Sequence, residues 1–241
     1  MTQKPSLKST KLRILGAAGD IFGRQGFKTA TVRAIAKAAK ANVASINYHF
    51  RDKEGLYSAV LEDIFTTVFR TIPVVMAPDS IALPEQRLRF FIRGMFHRFL
   101  SSRGWAGLGG KGKLIAREFL DPTPALATIV STYIRPHRNI LVGMIGEIAQ
   151  ADPESEPVQA CALSIIGQCI YYAFAENVIQ QIAPGLAPKD GNLDHLADHV
   201  TQFSLGGILA VHSSKGSGLK SVKPRDISAP PKGSDIMEKQ Q

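Results

Sequence analysis

The chain has 241 residues, enough for one large domain or two small ones, and its 44 % hydrophobic content suffices for a real core. Two cysteines exclude a disulfide framework, and no run approaches the roughly 18 apolar residues a membrane span needs. The start, Met1 to Arg13, is basic and polar without the apolar stretch of a secretion signal, so a reducing cytoplasm is the expected setting.

The net charge of +9 is unevenly placed. Residues 1–53 hold 11 Lys and Arg against 2 Asp and Glu, residues 54–212 hold 12 against 15, and residues 213–241 hold 6 against 3. A compact basic segment on a mildly acidic body suits one part that touches phosphate and another that does something else.

In chain order, Ile14, Leu15, Ala18, Ile21 and Phe22 recur at helical spacing and predict a first amphipathic helix over about 11–24. Gly26 is expected to end it as a left-handed cap, with Phe27 turning back onto the core. Thr31 is a good N-cap for a short second helix with Val32, Ile35, Ala36 and Ala39 on one face. Asn42 can cap a third over Val43 to Phe50, and Asp52 a fourth with Leu56, Tyr57, Val60, Leu61, Ile64 and Val68 inward. Two short helices joined by a tight turn and braced by others make a helix-turn-helix.

In the third helix, Ile46 and Phe50 fall on one face and should pack inward. Val43, Ala44, Ser45, Asn47 and Tyr48 are then left outside near its N-terminus. A recognition helix enters the major groove in this way. Val43 or Ala44 could meet a thymine methyl, and Ser45 or Asn47 could hydrogen-bond base edges. Tyr48 and His49 are long enough for flanking phosphates. The helix starts at Thr31 and at Asp52-Lys53 offer free backbone N–H groups, which attract anions. Arg33, Lys37, Lys40 and Lys53 surround this face with cations.

Residues 10–65 resemble the DNA-binding domain of the TetR family of one-component transcriptional regulators. The stretch IFGRQGFKTATVRAIAKAAKANVASINYHFRDKEGLYSAVL follows that family's pattern almost without gaps. The resemblance implies that Arg33 meets backbone or base, that Val43, Ala44, Ser45 and Asn47 face the groove, and that Tyr48, His49 and Lys53 hold phosphates. Two departures stand out: Lys40 occupies a turn position where glycine is usual, and Asn47 replaces a frequent tyrosine. LIAREFLDPTPAL (114–126), IRPH (134–137) and CALSIIGQCIYY (161–172) are similar to the C-terminal domain of the CecR-like (CerR-like) subgroup.

Beyond Arg70 the texture changes. Ile72 to Pro84 contains three prolines and reads as a connection. Leu88, Phe91, Ile92, Met95, Phe96 and Phe99 form a buried helical stripe with Arg89, Arg93 and Arg98 off it. A glycine loop, 104–112, surrounds Trp105, and Lys113 to Leu120 is a short helix. A long helix capped by Thr123 runs to about Gln150, another from about 157 to 182, and a last from about 193 to 212. The expectation is an all-α protein: a flexible basic start (1–9), a helix-turn-helix domain (10–68, motif about 32–51), a helical bundle (69–212) and a disordered basic tail (213–241).

The family resemblance implies homodimerisation through the last two helices and a small, apolar or amphipathic effector inside the bundle. It also implies repression of a palindromic operator in double-stranded DNA. Ala160, Ala162, Gly167, Ala173 and Ala175 on one helix, with Leu196, Val200, Phe203, Gly207 and Leu209 on the other, suit an interface or an internal core on pattern alone. Phe96, Arg93, His97, Trp105 and Tyr133 are the candidate effector contacts. No cofactor or metal is expected. His195 and His199 lack the adjacent glutamate of a zinc hydrolase. Cys161 and Cys169 sit too far apart on one helix for a local disulfide. GLGGKGK lacks the strand and the Ser or Thr of a P-loop, and Arg117-Glu118 reads as a structural ion pair. No catalytic residue is assigned. The competing readings are a helical enzyme or metabolite carrier with an incidental basic start, and a non-specific DNA-compacting protein.

Overall fold

The computed structural model describes residues 7–73 and 83–213, all of whose regular elements are helical. The expectations for residues 1–6, for most of the proline-bearing connection (74–82) and for the tail (214–241) lie outside the described residues. Four helices build the N-terminal part: α1 (Leu7–Thr29), α2 (Val32–Ala38), α3 (Val43–Phe50) and α4 (Lys53–Thr71). Gly26, at φ 79° and ψ 169°, breaks α1 near its end where the sequence placed a cap. The following turn returns Phe27 to Phe22 and Tyr57, whose rings pack at 5.1 Å from Phe22 and 4.9 Å from Phe27.

The body comprises α5 (Pro84–Leu100), α6 (Gly112–Leu120), α7 (Ala125–Ile129), α8 (Arg135–Ala149), α9 (Glu156–Phe174), α10 (Glu176–Ile182) and α11 (Leu193–Ser213). Two expected long helices are interrupted. Between α7 and α8 the helix runs through a wider π-type segment, Val130–Ile134, where the N–H of Arg135 reaches back to Val130 O. Pro136 explains this: it has no N–H and its ring would clash with the preceding turn, so the helix widens beside it. The helix expected over 157–182 ends at Phe174 and restarts at Glu176, because Ala175 leaves helical geometry at φ −104°, ψ 17°. Nothing in its sequence explains that break.

Two apolar cores result. One joins Ile14, Phe22, Ile35, Ile46, Leu56 and Leu61 of α1–α4 to Trp105, Leu114, Ile115, Ala125 and Ile129, so α1–α4 and α6–α7 share one interior. The other lies among α5, α8, α9 and α11, around Leu88, Ile92, Phe96, Leu141, Ile145, Ile165 and Val200. Polar contacts across the joint reinforce the first: Lys28 with Asp121 at 2.8 Å, Lys111 with Asp20 at 3.7 Å, and Arg117 donating to Phe22 O at 3.1 Å.

The expected ion pair of Arg117 with Glu118 is not formed, because neighbouring helical side chains project to different sides and each finds a separate partner. Glu118, 3 % exposed, accepts hydrogen bonds from Tyr57 OH at 3.0 Å and from Thr123 N and Oγ1 at 2.8 Å each. Burial first, and the carboxylate beside it second, push the Tyr57 phenol up. Glu118→Ala strands several of these donors in the interior, and is expected to destabilise the protein by about 3 kcal/mol. Glu118→Gln, which retains an acceptor, should lose less; urea denaturation of the three proteins measures both differences.

Arg98 is the other correction. It does not lie off the α5 stripe with Arg89 and Arg93 but is 3 % exposed. It stands three residues after Met95 and seven after Phe91, and therefore belongs to the same buried face.

Candidate DNA-binding face and ligand cavity

The helix-turn-helix is set by local caps. Thr31 Oγ1 accepts from Ala34 N at 3.2 Å, Asn42 Oδ1 from Ala44 N at 3.0 Å, and Asp52 Oδ1 from Gly55 N at 2.7 Å. Each cap satisfies an N–H that its helix cannot. The turn between α2 and α3 is a Schellman closure: Lys40 N donates to Lys37 O at 3.2 Å and Ala41 N to Ala36 O at 3.0 Å. Lys40 takes the left-handed position at φ 49°, at a cost of roughly 1–2 kcal/mol for a residue with a Cβ. Arg13 of α1 braces the same turn by donating to Ala39 O at 3.2 Å and Lys40 O at 3.5 Å.

The far end of α3 is tighter. Arg51 sits at φ 71°, ψ −57°, closing a three-residue turn in which Asp52 N donates to Phe50 O at 3.0 Å. The start of α4 comes so close that a Cβ on Gly55 would lie 2.1 Å from Phe50 O, so only glycine fits there. Ile46 and Phe50 are buried, which fixes the rotation of α3 about its axis.

That rotation leaves Ala44, Asn47 and Tyr48 exposed, Tyr48 at 75 %. Ser45 and His49 are half-buried, and the His49 ring meets Tyr48 edge-on at 5.1 Å. Thr31, Arg33, Lys37 and Lys40 are exposed on and after α2. Two residues differ from expectation. Val43 is half-buried and packs on the first core instead of facing outward, since the first turn of α3 leans on its neighbours. Lys53 is held over the Phe27 ring at 4.6 Å and donates to Lys28 O at 3.3 Å, so its ammonium is already engaged.

A second site lies deeper. Phe65 and Phe69 of α4, Phe91, Met95, Arg98 and Phe99 of α5, Tyr133 and Ile134 just before α8, and His137 in it line a partly open cavity of ≈ 120 Å³. Trp105, Phe119, Arg138, Ile166 and Ile170 complete its wall. Of the five expected effector contacts, Trp105 and Tyr133 line it. Phe96, Arg93 and His97 do not. Phe96 packs in the second core against Tyr172 at 5.3 Å. Arg93 and His97 point to α11, where both meet Asp194, while Arg89 holds Asp198. The hydrogen bond from His97, followed by Arg93, keeps the Asp194 carboxyl below the usual range.

Arg98, His137, Phe65 and Phe69 were not anticipated. A helical wheel of α5 would have found Arg98, on the Phe91–Met95 edge of the stripe; the phenylalanines of α4 read as ordinary core. His137 Nδ1 faces Tyr133 O, a pure acceptor, so that nitrogen carries the proton, and burial pulls the imidazole's pKa down.

Toward their C-terminal halves the outer faces of α9 and α11 are largely apolar. Leu163 of α9 is 70 % and Phe203 of α11 67 % exposed, and Tyr171 and Phe174 near the end of α9 are exposed as well. Contrary to the expectation that no run approaches a membrane span, helix α9 is long and apolar enough to cross one by length and composition alone. Its other side, however, packs Val158, Ala162, Ile165 and Cys169 into the second core. A Cβ at Gly167, Gly206 or Gly207 would meet nothing within 4 Å, so packing within the chain does not require these glycines. Ala162, Leu196 and Val200, expected as interface candidates, point inward. Cys161 and Cys169 are free thiols, and burial raises Cys169 to about 12.

Residues 14–60 match the family of bacterial regulatory proteins named tetR, and residues 84–208 match the C-terminal domain of the HTH-type transcriptional dual regulator CecR. CecR of Shigella flexneri is 28 % identical over 182 residues, covering 71 % of this chain and 79 % of that protein. YttP of Bacillus subtilis strain 168, a probable HTH-type transcriptional regulator, is 26 % identical over 144 residues, covering 58 % of this chain and 64 % of YttP. In that match the chain thus spans just under two thirds of its relative. The crystal structure of the transcriptional regulator FadR from Bacillus subtilis in complex with stearoyl-CoA is similar in fold, with a TM-score of 0.58 at 18 % identity over 81 % of this chain and 98 % of FadR. The second match alone spans more than half of the 241 residues, and together the two take in both the helix-turn-helix and the cavity-bearing body: the chain belongs to the TetR family of regulators, with a CecR-type C-terminal domain.

Proposed function

We propose that the protein is a homodimeric, sequence-specific repressor, released from a palindromic operator when a small apolar or amphipathic molecule fills the cavity between α4, α5 and α8. The observation that carries this reading is the double role of α4. Its N-terminus closes the tight turn after α3, while Phe65 and Phe69 near its C-terminus form cavity wall. A molecule in the cavity therefore presses on the same rod that sets the position of α3. Two α3 helices must meet successive major grooves about 34–36 Å apart, so a conformer with the wrong spacing binds operator weakly. An effector that prefers that conformer lowers affinity by its differential binding.

On the DNA side, Arg33, Tyr48 and His49 would take phosphates with the backbone N–H groups at Thr31, and Ala44, Ser45 and Asn47 would read bases. Val43 and Lys53 contribute less, being held by their neighbours. The exposed α9 and α11 faces would pair with those of a second copy. The role is regulatory and not catalytic, exercised where the chromosome lies; both sequence matches are to regulators along their matched lengths.

Titrating the protein onto promoter DNA, including that of its own gene, and onto random duplex at rising salt distinguishes the alternatives. A regulator keeps a strong bias for one promoter segment at physiological salt. Equal binding to both duplexes would mean a compacting protein, and no binding to either would favour the enzyme or carrier.

A further inference from the structure

The cavity contains a cation that no described residue neutralises. Arg98 is 97 % buried by its 3 % exposure, and among the described residues no carboxylate pairs with it. Its contacts are one hydrogen bond to Pro73 O at 3.3 Å and the face of Phe69 at 5.2 Å. Room for the guanidinium is made on its own helix: a Cβ on Gly94 would lie 3.1 Å from Arg98 Nη1. Burial pulls the arginine down to about 10, so it remains charged at neutral pH. Arg138, on the same wall, differs in being paired with Glu154 at 3.1 Å. A second donor is also stranded: the buried Trp105 Nε1 has no acceptor among the described residues, and Trp105 lines the same cavity. The remaining wall is phenylalanine, methionine and isoleucine, with Tyr133 and His137 as its other polar side chains.

A buried charge without a partner is costly, whereas pairing it in a dry site with a complementary ion recovers much of that cost. Carboxylate matches the planar guanidinium in two-point geometry. We propose that the cavity is a binding site for an apolar monocarboxylic acid, whose carboxylate pairs with Arg98 and whose hydrocarbon part lies among Phe65, Phe69, Phe91 and Met95. The indole N–H of Trp105 is a further donor for the same headgroup. This deepens the effector reading above and rests on it only for the consequence at the operator, not for the binding itself.

The test uses the full chain without DNA. Isothermal calorimetry is run with straight-chain carboxylates of four to twelve carbons and with the matching primary amides, on the parent, Arg98→Met and Arg98→Lys. At least one acid is expected to bind at least tenfold tighter than its amide. Arg98→Met should abolish that preference and Arg98→Lys should retain part of it. Without ligand, Arg98→Met should melt at or above the parent temperature, because it replaces an uncompensated charge with an apolar chain of similar length. Amides that bind as well as acids, an acid preference that survives Arg98→Met, or no binding across the series would each overturn the proposal. So would an Arg98→Met variant that melts well below the parent, since that would reveal a counter-charge that the buried guanidinium already has. Operator affinity is then measured with the tightest acid. An acid that binds through Arg98 and leaves operator affinity unchanged keeps this site and removes the coupling proposed above.

Discussion

A Leu163→Glu, Phe203→Glu double variant is expected to sediment as a folded monomer and to bind operator at least about 100-fold more weakly than the parent, because two linked half-site contacts gain about 10²–10⁴ in affinity over either alone. Both side chains are about two-thirds exposed on their protomer and stand on neighbouring faces of α9 and α11. Replacing them therefore removes nothing from the second core. In a dimer they would lie in apolar surroundings, with Gly167, Gly206 and Gly207 letting partner backbones approach. Two carboxylates per protomer at such a contact face a desolvation cost, and neither helix carries a lysine or arginine to relieve it. Analytical ultracentrifugation gives the mass, far-UV circular dichroism the fold, and fluorescence anisotropy the operator affinity. A variant that stays dimeric would move the interface to another surface. One that is monomeric yet binds the full operator as before would remove the need for a dimer.

Much of this architecture was legible from side-chain chemistry at short range. Thr31, Asn42 and Asp52 cap the helices that their positions announced, because an N-cap is a contact between residues two or three apart. Ile46 and Phe50 likewise fix α3 through the helical period alone. What escaped the reading depends on partners far along the chain. Arg93 and His97 look like cavity residues until Asp194, about a hundred positions later, draws them to α11. Phe65 and Phe69 look like core until α5 and α8 stand off from them and leave a cavity. Lys53 looks like a free cation until the turn at Gly26 brings Phe27 beneath it. The one miss that short-range reasoning could have avoided is Arg98, where the positive charge concealed a position on the buried stripe.

The second large effect concerns the α2–α3 face. An Arg33→Ala, Tyr48→Ala double variant should melt within about 2 °C of the parent, since exposed substitutions away from caps and cores change stability by under roughly 0.5 kcal/mol. Neither side chain is part of a cap or the first core, and Tyr48 meets the His49 ring edge-on. The same variant should bind operator about 30- to 1000-fold more weakly, each lost contact contributing about 1–2 kcal/mol. The two residues divide that loss in a way salt can separate. Arg33 carries a formal charge to the backbone, so Arg33→Ala alone should flatten the slope of log K against log salt by about 1. Tyr48 is neutral, and Tyr48→Ala should lower affinity with the slope unchanged. Asn47→Ala, on the exposed edge of α3 between them, should instead cost about 1–3 kcal/mol on the cognate sequence and little on a variant operator, because a base contact discriminates where a phosphate contact does not. Retention of parental affinity by the folded double variant would mean that α3 does not enter the groove by this edge. Loss of affinity with equal sensitivity to every base change for Asn47→Ala would make the edge a backbone clamp and leave sequence reading to another element.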